Sequence, residues 1–494
     1  MSDNINRQVA IGTLWMLLQR IVVRGIGLVS MMILARILVP EDYGLIAIAM
    51  SMYSLLEMLA AFGFDVVLVK KKVVERDDYN SAWTARLLVY TVLAIIFVSS
   101  AGLMSEFYND IRLTPIIYAL GFNMILSGLE NIALVDFRRE LEFDKEFKLQ
   151  LYIKLFGFFV TIPLAFILQN YWALVIGNVA SKLISLILGY VLRPYSPRIC
   201  FSKIREILNF SKWLLFMNIT QFSRKQLPNV LLGKTVSSEA VGIWSICSQL
   251  SNDVTQALIA SMNRPVYSGF SKLAYSPNLL GRNFLELSGI QILFILPLGF
   301  GVSVTSEFVV KVALGSKWLN TIEPLSFMAV AVSVSSVASI CQYIYLVKDK
   351  PQLTFFLSFI GLAIFAPQAF YYAIGLDYGL MGVVYAHFIT CIIMPVINYI
   401  LVIKILDMSF NEILNNFLRP VFSVLLMYVL LQQCFIPFLT DVLDNSLIKL
   451  ILCALMGGFV YFASVISLWI LQGKPRSTES LVFDMVLTKF SKST

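Results

Sequence analysis

The chain has 494 residues, of which 58% are hydrophobic and only 14% are charged, and its mean hydropathy is +0.80. Soluble domains hold roughly 45 to 50% apolar and about 25% charged residues, so this composition excludes a water-soluble protein. The formal charge of +8 does not indicate nucleic-acid binding, because the basic residues come in short groups between apolar stretches rather than on one globular face.

Apolar stretches of about 20 residues, the length that crosses a bilayer, recur along the whole chain. They predict an all-α membrane protein with about fourteen transmembrane helices. Arg20 and Arg24 interrupt the N-terminal stretch, so it is predicted to remain as the first span rather than to be cleaved as a signal peptide. The predicted spans are 9–35, 43–66, 82–104, 113–135, 149–168, 171–192, 213–233, 240–262, 284–304, 322–346, 354–374, 379–403, 420–436 and 447–471.

The chain repeats itself at a constant offset of 198 residues. The matches are Trp15 with Trp213, Leu34 with Leu232, Arg36 with Lys234, Glu41 with Glu239 and Gly44 with Gly242. Six helices per copy is an even number, so the two copies are expected to face the same way, related by a pseudo-two-fold axis along the membrane normal. The predicted domains are an N-terminal lobe at 1–205, a C-terminal lobe at 206–404, and two further helices with a tail at 405–494.

The distribution of Lys and Arg predicts the orientation. The loops on one side of the predicted spans, together with the termini, carry 25 of these residues, and the opposite loops carry five. Positive residues in short loops stay in the cytoplasm, so both termini are expected to be cytoplasmic.

Several cations lie inside the apolar spans, where a charge costs at least about 2.5 to 3.5 kcal/mol. Arg20 and Arg24 are four residues apart and share one face of the first helix. Lys225, next to Arg224 in the seventh span, corresponds to position 27 on that face. We expect these four cations to line a central cavity and to bind a phosphate or another anion, for which a guanidinium group is well suited. Arg86, Lys154 and Lys182 are weaker candidates.

Structural pairing is the alternative for these cations, with Glu57, Asp65, Glu130, Asp253 and Glu286 as the available acids. A buried carboxylate can also take up a proton or a sodium ion. Glu57 and Asp253 lie in the second helix of each repeat, so they are candidates for ion coupling as well as for neutralising the arginines.

No pattern typical of an enzyme or a metal site stands out. The chain has one histidine, His387, and six scattered cysteines without CxxC spacing. No catalytic motif occurs in a credible strand-turn-helix context. We therefore expect no catalytic residue, no metal and no cofactor.

Five segments resemble the polysaccharide-transporter branch of the multidrug/oligosaccharidyl-lipid/polysaccharide exporter superfamily, in particular Wzx-type flippases of the colanic-acid kind. They are LARILVPEDYGLIAIA (Leu34 to Ala49), AFGFDVVLVKKK (Ala61 to Lys72), RRELEF (Arg138 to Phe143), LNFSKW (Leu208 to Trp213) and LGSKW (Leu314 to Trp318). The likeness extends over nearly the whole chain.

The resemblance implies a two-lobed, V-shaped transporter of the inner membrane. Its cargo would be an undecaprenyl-diphosphate-linked oligosaccharide, moved from the cytoplasmic to the periplasmic leaflet for the synthesis of exopolysaccharide, capsule or O-antigen. The implied partners are this lipid-linked oligosaccharide, the lipid bilayer and other polysaccharide-assembly proteins, with no nucleic acid. Related lipid flippases keep arginines in helix 1, which Arg20 and Arg24 match. Their further cavity cations in helices 2 and 8 have no counterpart here.

Three other functions remain open from the sequence. A drug or cation exporter of the same superfamily would need acids rather than arginines in its cavity. A polytopic glycan polymerase or ligase needs a sizeable outer loop, whereas the longest predicted outer gap runs only from about Thr305 to Thr321. A membrane scaffold without transport would leave the buried charges unexplained.

Overall fold

A computed structural model of the chain describes residues 2–60, 68–69, 71, 74–203, 222–223, 225–274, 276–473 and 480. All regular elements in this part of the chain are helical, which confirms the predicted all-α class. Eleven of the described helices are long and apolar enough to cross a membrane, or twelve if the bent pair Leu113–Gly128 and Ile132–Arg139 is one span. Of the predicted span 213–233, residues 213–221 and 224 lie outside the described residues. The span 240–262 falls in a helix that is not among the eleven.

Two compact units divide the chain, residues 1–245 and 246–494. The helices of the first unit are α1 (Ser2–Ile37), α2 (Pro40–Ala60), α3 (Arg76–Ser99), α4 (Ala101–Tyr108), α5 (Leu113–Gly128), a 3-10 turn (Ile132–Val135), α6 (Asp136–Arg139), α7 (Phe143–Leu168), α8 (Trp172–Leu192) and a further helical stretch at 225–235. Helix α9 (Ser238–Lys272) begins in the first unit and continues into the second.

The second unit continues with α10 (Pro277–Val304), α11 (Ser306–Ala313), a 3-10 segment (Ser316–Thr321), α12 (Ile322–Val337), a 3-10 turn (Ala338–Ile340), α13 (Cys341–Val347), α14 (Gln352–Phe370), a π-helical turn (Tyr371–Gly375), α15 (Gly379–Leu406), α16 (Phe410–Leu430), a second π-helical turn (Leu431–Phe435), α17 (Ile436–Val442) and α18 (Ser446–Leu471). Several of these helices contain an internal proline, which membrane helices tolerate when neighbouring groups satisfy the freed backbone.

The same succession of elements occurs twice along the chain. The stretch at 225–235 ends 198 residues after α1, and α9 begins 198 residues after α2, in agreement with the sequence offset. Later, the short helix α4 and the 16-residue helix α5 correspond to α11 and to the 16-residue helix α12. The predicted lobe boundary at 205 and 206 lies outside the described residues and stays a prediction.

In both units, central helices pack lengthwise against two neighbouring helices. In the first unit, α7 packs along α1 and α8, and α5 packs along α3 and α8. In the second, α12 packs along α10 and α15, and α16 along α10 and α18, around a core that includes Phe284, Tyr345 and Tyr461. Large side chains such as Phe459 and Ile470 of α18 remain exposed, as expected of a surface in contact with lipid.

Candidate functional site

Helix α1 carries Arg20 and Arg24 in its membrane-spanning part, Leu14–Ile37, in the half of that span nearer the N-terminus. A rise of 1.5 Å per residue puts them about 25 Å and about 20 Å from the end of α1 at Ile37. The side chain of Arg20 is exposed and that of Arg24 is half-buried. Both guanidinium groups therefore lie well inside the apolar span, on one face of the helix.

Lys154 of α7 brings a third cation to this face of α1. Its Nζ atom lies 3.7 Å from the position that a Cβ on Gly27 would occupy. Gly27 is three residues beyond Arg24 and seven beyond Arg20, so it continues the same helical face. The Lys154 ammonium therefore lies beside α1 at Gly27, an arrangement that sequence spacing within one helix could not reveal.

The second predicted cation pair is described only in part. Arg224 lies outside the described residues, whereas Lys225 is exposed at the start of the helical stretch 225–235. The adjacent Gln226 donates a hydrogen bond from Nε2 to Oγ of Ser54, at 3.2 Å. This contact holds the beginning of the stretch against α2 within the first unit, one turn of α2 before Glu57.

Arg86 and Lys182 are neutralised by one acid. Glu130 accepts a hydrogen bond from the Arg86 guanidinium, and its other carboxylate oxygen lies 2.6 Å from Nζ of Lys182. The hydroxyl of Ser185 also donates to Glu130, at 3.4 Å. Each of the three charged side chains is no more than 20% exposed. The structural-pairing alternative therefore applies to these two cations.

Glu57 belongs to the same electrostatic network. Its carboxylate interacts with Lys182, Glu130 and Arg86, so the network joins two acids and two bases from α2, α3, α8 and the connection that follows α5. Asp253, the other candidate for ion coupling, is half-buried in α9 of the second unit, where it has a polar partner. Asp65 lies outside the described residues.

The partners of the cations divide them into two groups. Within the described part of the chain, no carboxylate lies within 4 Å of Arg20, Lys154 or Lys225. Arg86 and Lys182, in contrast, share Glu130. Unpaired cations at membrane depth are unfavourable unless a wet cavity or an anion faces them. The α1 face with Lys154 is therefore the described position best suited to an anionic ligand.

The other reactive groups among the described residues form no recognisable site. His387 lies one helical turn from Cys391, with its Nε2 atom 3.5 Å from Sγ, and edge-on to the ring of Phe365. Among the described residues, no three His, Cys, Asp or Glu side chains are grouped as metal ligands. These contacts place the histidine in a packed environment between Cys391 and Phe365.

Comparison with known proteins adds a family and a fold. The model of a family described as "Polysaccharide biosynthesis protein" matches residues 33–323. An "Uncharacterized membrane protein in cps region" of Klebsiella pneumoniae is 24% identical over 461 residues, covering 92% of this chain and 93% of that protein. The "Lipopolysaccharide biosynthesis protein WzxC" of Escherichia coli K12 is 23% identical over 421 residues, covering 83% of this chain and 84% of the relative.

The fold is also similar to that of a solved lipid transporter. The "Lipid II flippase MurJ, inward closed conformation" superposes with a TM-score of 0.67 at 15% identity, covering 93% of this chain and 99% of that one. At this identity the likeness establishes the fold alone, because one fold can serve several cargoes.

Proposed function

Since the chain belongs to the polysaccharide biosynthesis protein family, we propose that this multi-pass membrane protein is a flippase for an undecaprenyl-diphosphate-linked oligosaccharide. It moves this cargo from the cytoplasmic to the periplasmic leaflet of the bacterial inner membrane, by alternating access, for exopolysaccharide, capsule or O-antigen synthesis. It carries out no covalent chemistry. Both termini are cytoplasmic, in keeping with the imbalance of Lys and Arg between the two sides.

The observation that carries the proposal is the set of membrane-embedded cations without a described carboxylate partner. Arg20 and Lys154 lie on or beside one face of α1. A diphosphate head group is the part of the cargo that apolar lipid cannot dissolve. Arginine and lysine side chains in a wet cavity would replace its hydration, with bidentate hydrogen bonds from each guanidinium.

The proposed diphosphate site consists of Arg20, Arg24, Lys154, Arg224 and Lys225. Its depth suits loading from the cytoplasmic leaflet, because Arg20 and Arg24 lie in the half of the span Leu14–Ile37 that is nearer the cytoplasmic N-terminus. Arg86 and Lys182 form ion pairs with Glu130, so these two cations are not part of the proposed site. They serve instead to hold α3, α5 and α8 together.

Glu57 and Asp253 are the proposed coupling residues. Glu57 lies in a network of two acids and two bases, so uptake of a proton or another cation there would leave one excess positive charge in the first unit. That excess would favour an arrangement in which an anion is bound nearby. Cargo binding and ion uptake would then promote each other.

The decisive experiment uses a strain that lacks this gene. The lipid-linked oligosaccharide should accumulate on the cytoplasmic leaflet, and the wild-type gene should clear it. The Arg20→Gln and Arg24→Gln variants should each clear it at least about tenfold more slowly, the loss expected for one charge-assisted contact of roughly 1.5 to 3 kcal/mol. If no intermediate accumulates in the deletion strain, the proposal is wrong.

Lys311→Gln is the matched control, because Lys311 is an exposed lysine that pairs with Glu307 on a short helix outside the candidate site. It should behave as the wild type. A drug exporter would retain efflux in the Arg20→Gln and Arg24→Gln variants, since cationic cargo has no use for these arginines. Glycan polymerisation by the purified protein in liposomes would instead establish an enzyme.

A further inference from the structure

Helices α2 and α9 touch at their first turns, backbone against backbone. A Cβ atom on Gly44 would lie 1.6 Å from the carbonyl oxygen of Ser238, and one on Gly242 would lie 1.9 Å from the carbonyl oxygen of Pro40. Both distances are far shorter than any contact a Cβ atom makes. Glycine is required at both positions because the backbone of the other helix occupies the space that a side chain would need.

The contact is reciprocal. Pro40 and Ser238 are separated by the 198-residue offset of the repeat, and so are Gly44 and Gly242. Each glycine therefore meets the residue four positions before the other glycine. Such a self-complementary contact has the form of an isologous interface, in which two equivalent surfaces meet across a local two-fold axis. All four residues belong to the first unit.

A second contact lies beside this glycine crossing. The Nζ atom of Lys234 donates a hydrogen bond to the carbonyl oxygen of Phe107 at 2.6 Å and lies 4.7 Å from the centre of the Phe107 ring. A Cβ on Gly233 would be 2.9 Å from the ring of Tyr108 and 3.1 Å from Ile48. The end of the stretch 225–235 thus packs closely against α4 and α2, at the same end of the unit as the crossing.

From this arrangement we propose that the glycine crossing, Gly44 and Gly242 with Pro40 and Ser238, is the closed outer gate of the transporter. The proposal rests on the proposed function and orientation, which place the turns before α2 and α9 on the periplasmic side. Alternating access requires the helices that seal one side to separate. A backbone contact without interlocking side chains can open and close again without rotamer changes, and the hydrogen bond of Lys234 to Phe107 opens with it.

Substitution of either glycine should hold the gate open. Gly44→Ala or Gly242→Ala places a methyl group where the opposite carbonyl lies, and relief of such overpacking should shift the equilibrium towards the open gate by about fivefold or more. The double variant should shift it at least as far as the larger single effect, because both clashes occur in the closed gate and one separation relieves both. Gly102→Ala and Gly458→Ala are matched controls, since no atom lies within 4 Å of either added Cβ.

Gate opening is measured with a cysteine reporter at Ile48, which is 1% exposed, in a chain whose six cysteines have been replaced. A membrane-impermeant maleimide is added from the periplasmic side. Slow labelling in the parent and in both controls, with at least about fivefold faster labelling in each gate variant, is the expected result. Unchanged labelling in the folded Gly44→Ala and Gly242→Ala variants would overturn the proposal.

Lys234→Gln keeps the proposal testable if the alanine variants do not fold. It removes the bond to Phe107 without adding bulk, so it should also speed labelling, whereas Lys311→Gln should not. Equal labelling rates in Lys234→Gln and the parent would then refute the gate. The labelling needs no cargo. If the gate variants are labelled faster but the protein clears no lipid-linked intermediate, the proposed function is rejected and the gate is kept. If the protein clears the intermediate but labelling does not change, the gate is rejected and the proposed function is kept.

Discussion

Replacement of Glu130 by Gln should strongly destabilise the first unit. The substitution preserves shape but leaves Arg86 and Lys182 without their shared carboxylate. Removal of one partner from a buried ion pair costs about 3 to 5 kcal/mol. The three side chains are between 16% and 20% exposed, which favours the lower end of this range. A loss of about 3 kcal/mol changes an unfolding equilibrium about 150-fold.

The assay is thermal unfolding of the purified protein in detergent, followed by tryptophan fluorescence, to which the buried Trp83 of the first unit contributes. The Glu130→Gln variant should unfold at a clearly lower temperature than the wild type. Adding Lys182→Met removes one of the two stranded cations and should restore part of the loss.

Glu41→Gln provides the comparison for Glu130→Gln. Glu41 pairs with Arg112, but both side chains are more than 40% exposed, so its removal should cost less than about 1 kcal/mol. Equal unfolding temperatures for Glu130→Gln and Glu41→Gln would refute the view that Glu130 stabilises the helix bundle through buried ion pairs.

Two further predictions concern polar groups at helix ends. Asn131 is 2% exposed, and its side-chain amide donates hydrogen bonds to the carbonyl oxygens of Gly189 and Arg193, at 2.9 Å and 2.6 Å. Asn131→Ala should therefore lower the stability by about 2 kcal/mol in the same assay, against about 1 kcal/mol for Asn445→Ala at an exposed helix cap. A smaller loss for Asn131→Ala than for Asn445→Ala would contradict this prediction. Burial would raise the pKa of Asp110, but hydrogen bonds from Arg112 lower this pKa below the ordinary value of 3.8. The Asp110 carboxylate therefore stabilises the folded state above pH 3.8, and this stabilisation is lost as the pH falls through the folded-state pKa. Asp110→Asn should therefore unfold at a lower temperature than the wild type at pH 7, and the difference should shrink as the pH falls below 3.8. A difference that is independent of pH would exclude the mechanism.

The charge pattern explains why only some membrane-embedded cations can serve a ligand. An ion pair between Glu130 and its two partners satisfies those charges internally. Arg20 and Lys154 have no such described partner, and the Lys154 ammonium lies beside α1 at Gly27. This division makes the effects of Arg20→Gln and Glu130→Gln separable, since the first should impair transport and the second stability.

Much of this protein could be predicted from the sequence. The all-α membrane class follows from the length and apolarity of the spans, because a lipid environment leaves the backbone no other way to satisfy its hydrogen bonds. The family resemblance, read from segments such as Leu34 to Ala49, is confirmed by the match over residues 33–323. The repeat was visible as five matches at one offset, and the starts of α2 and α9 keep that offset.

The pairing of side chains was beyond the sequence. Glu130 was one of five acids that could neutralise the buried cations, and spacing along the chain gave no reason to place it between Arg86 and Lys182 of two other helices. The same holds for Lys154 beside Gly27, and for Gly44 and Gly242, which the sequence matched as equivalents without indicating that they touch. A helix periodicity specifies which residues share a face, whereas the partner that meets that face is decided only when the helices pack.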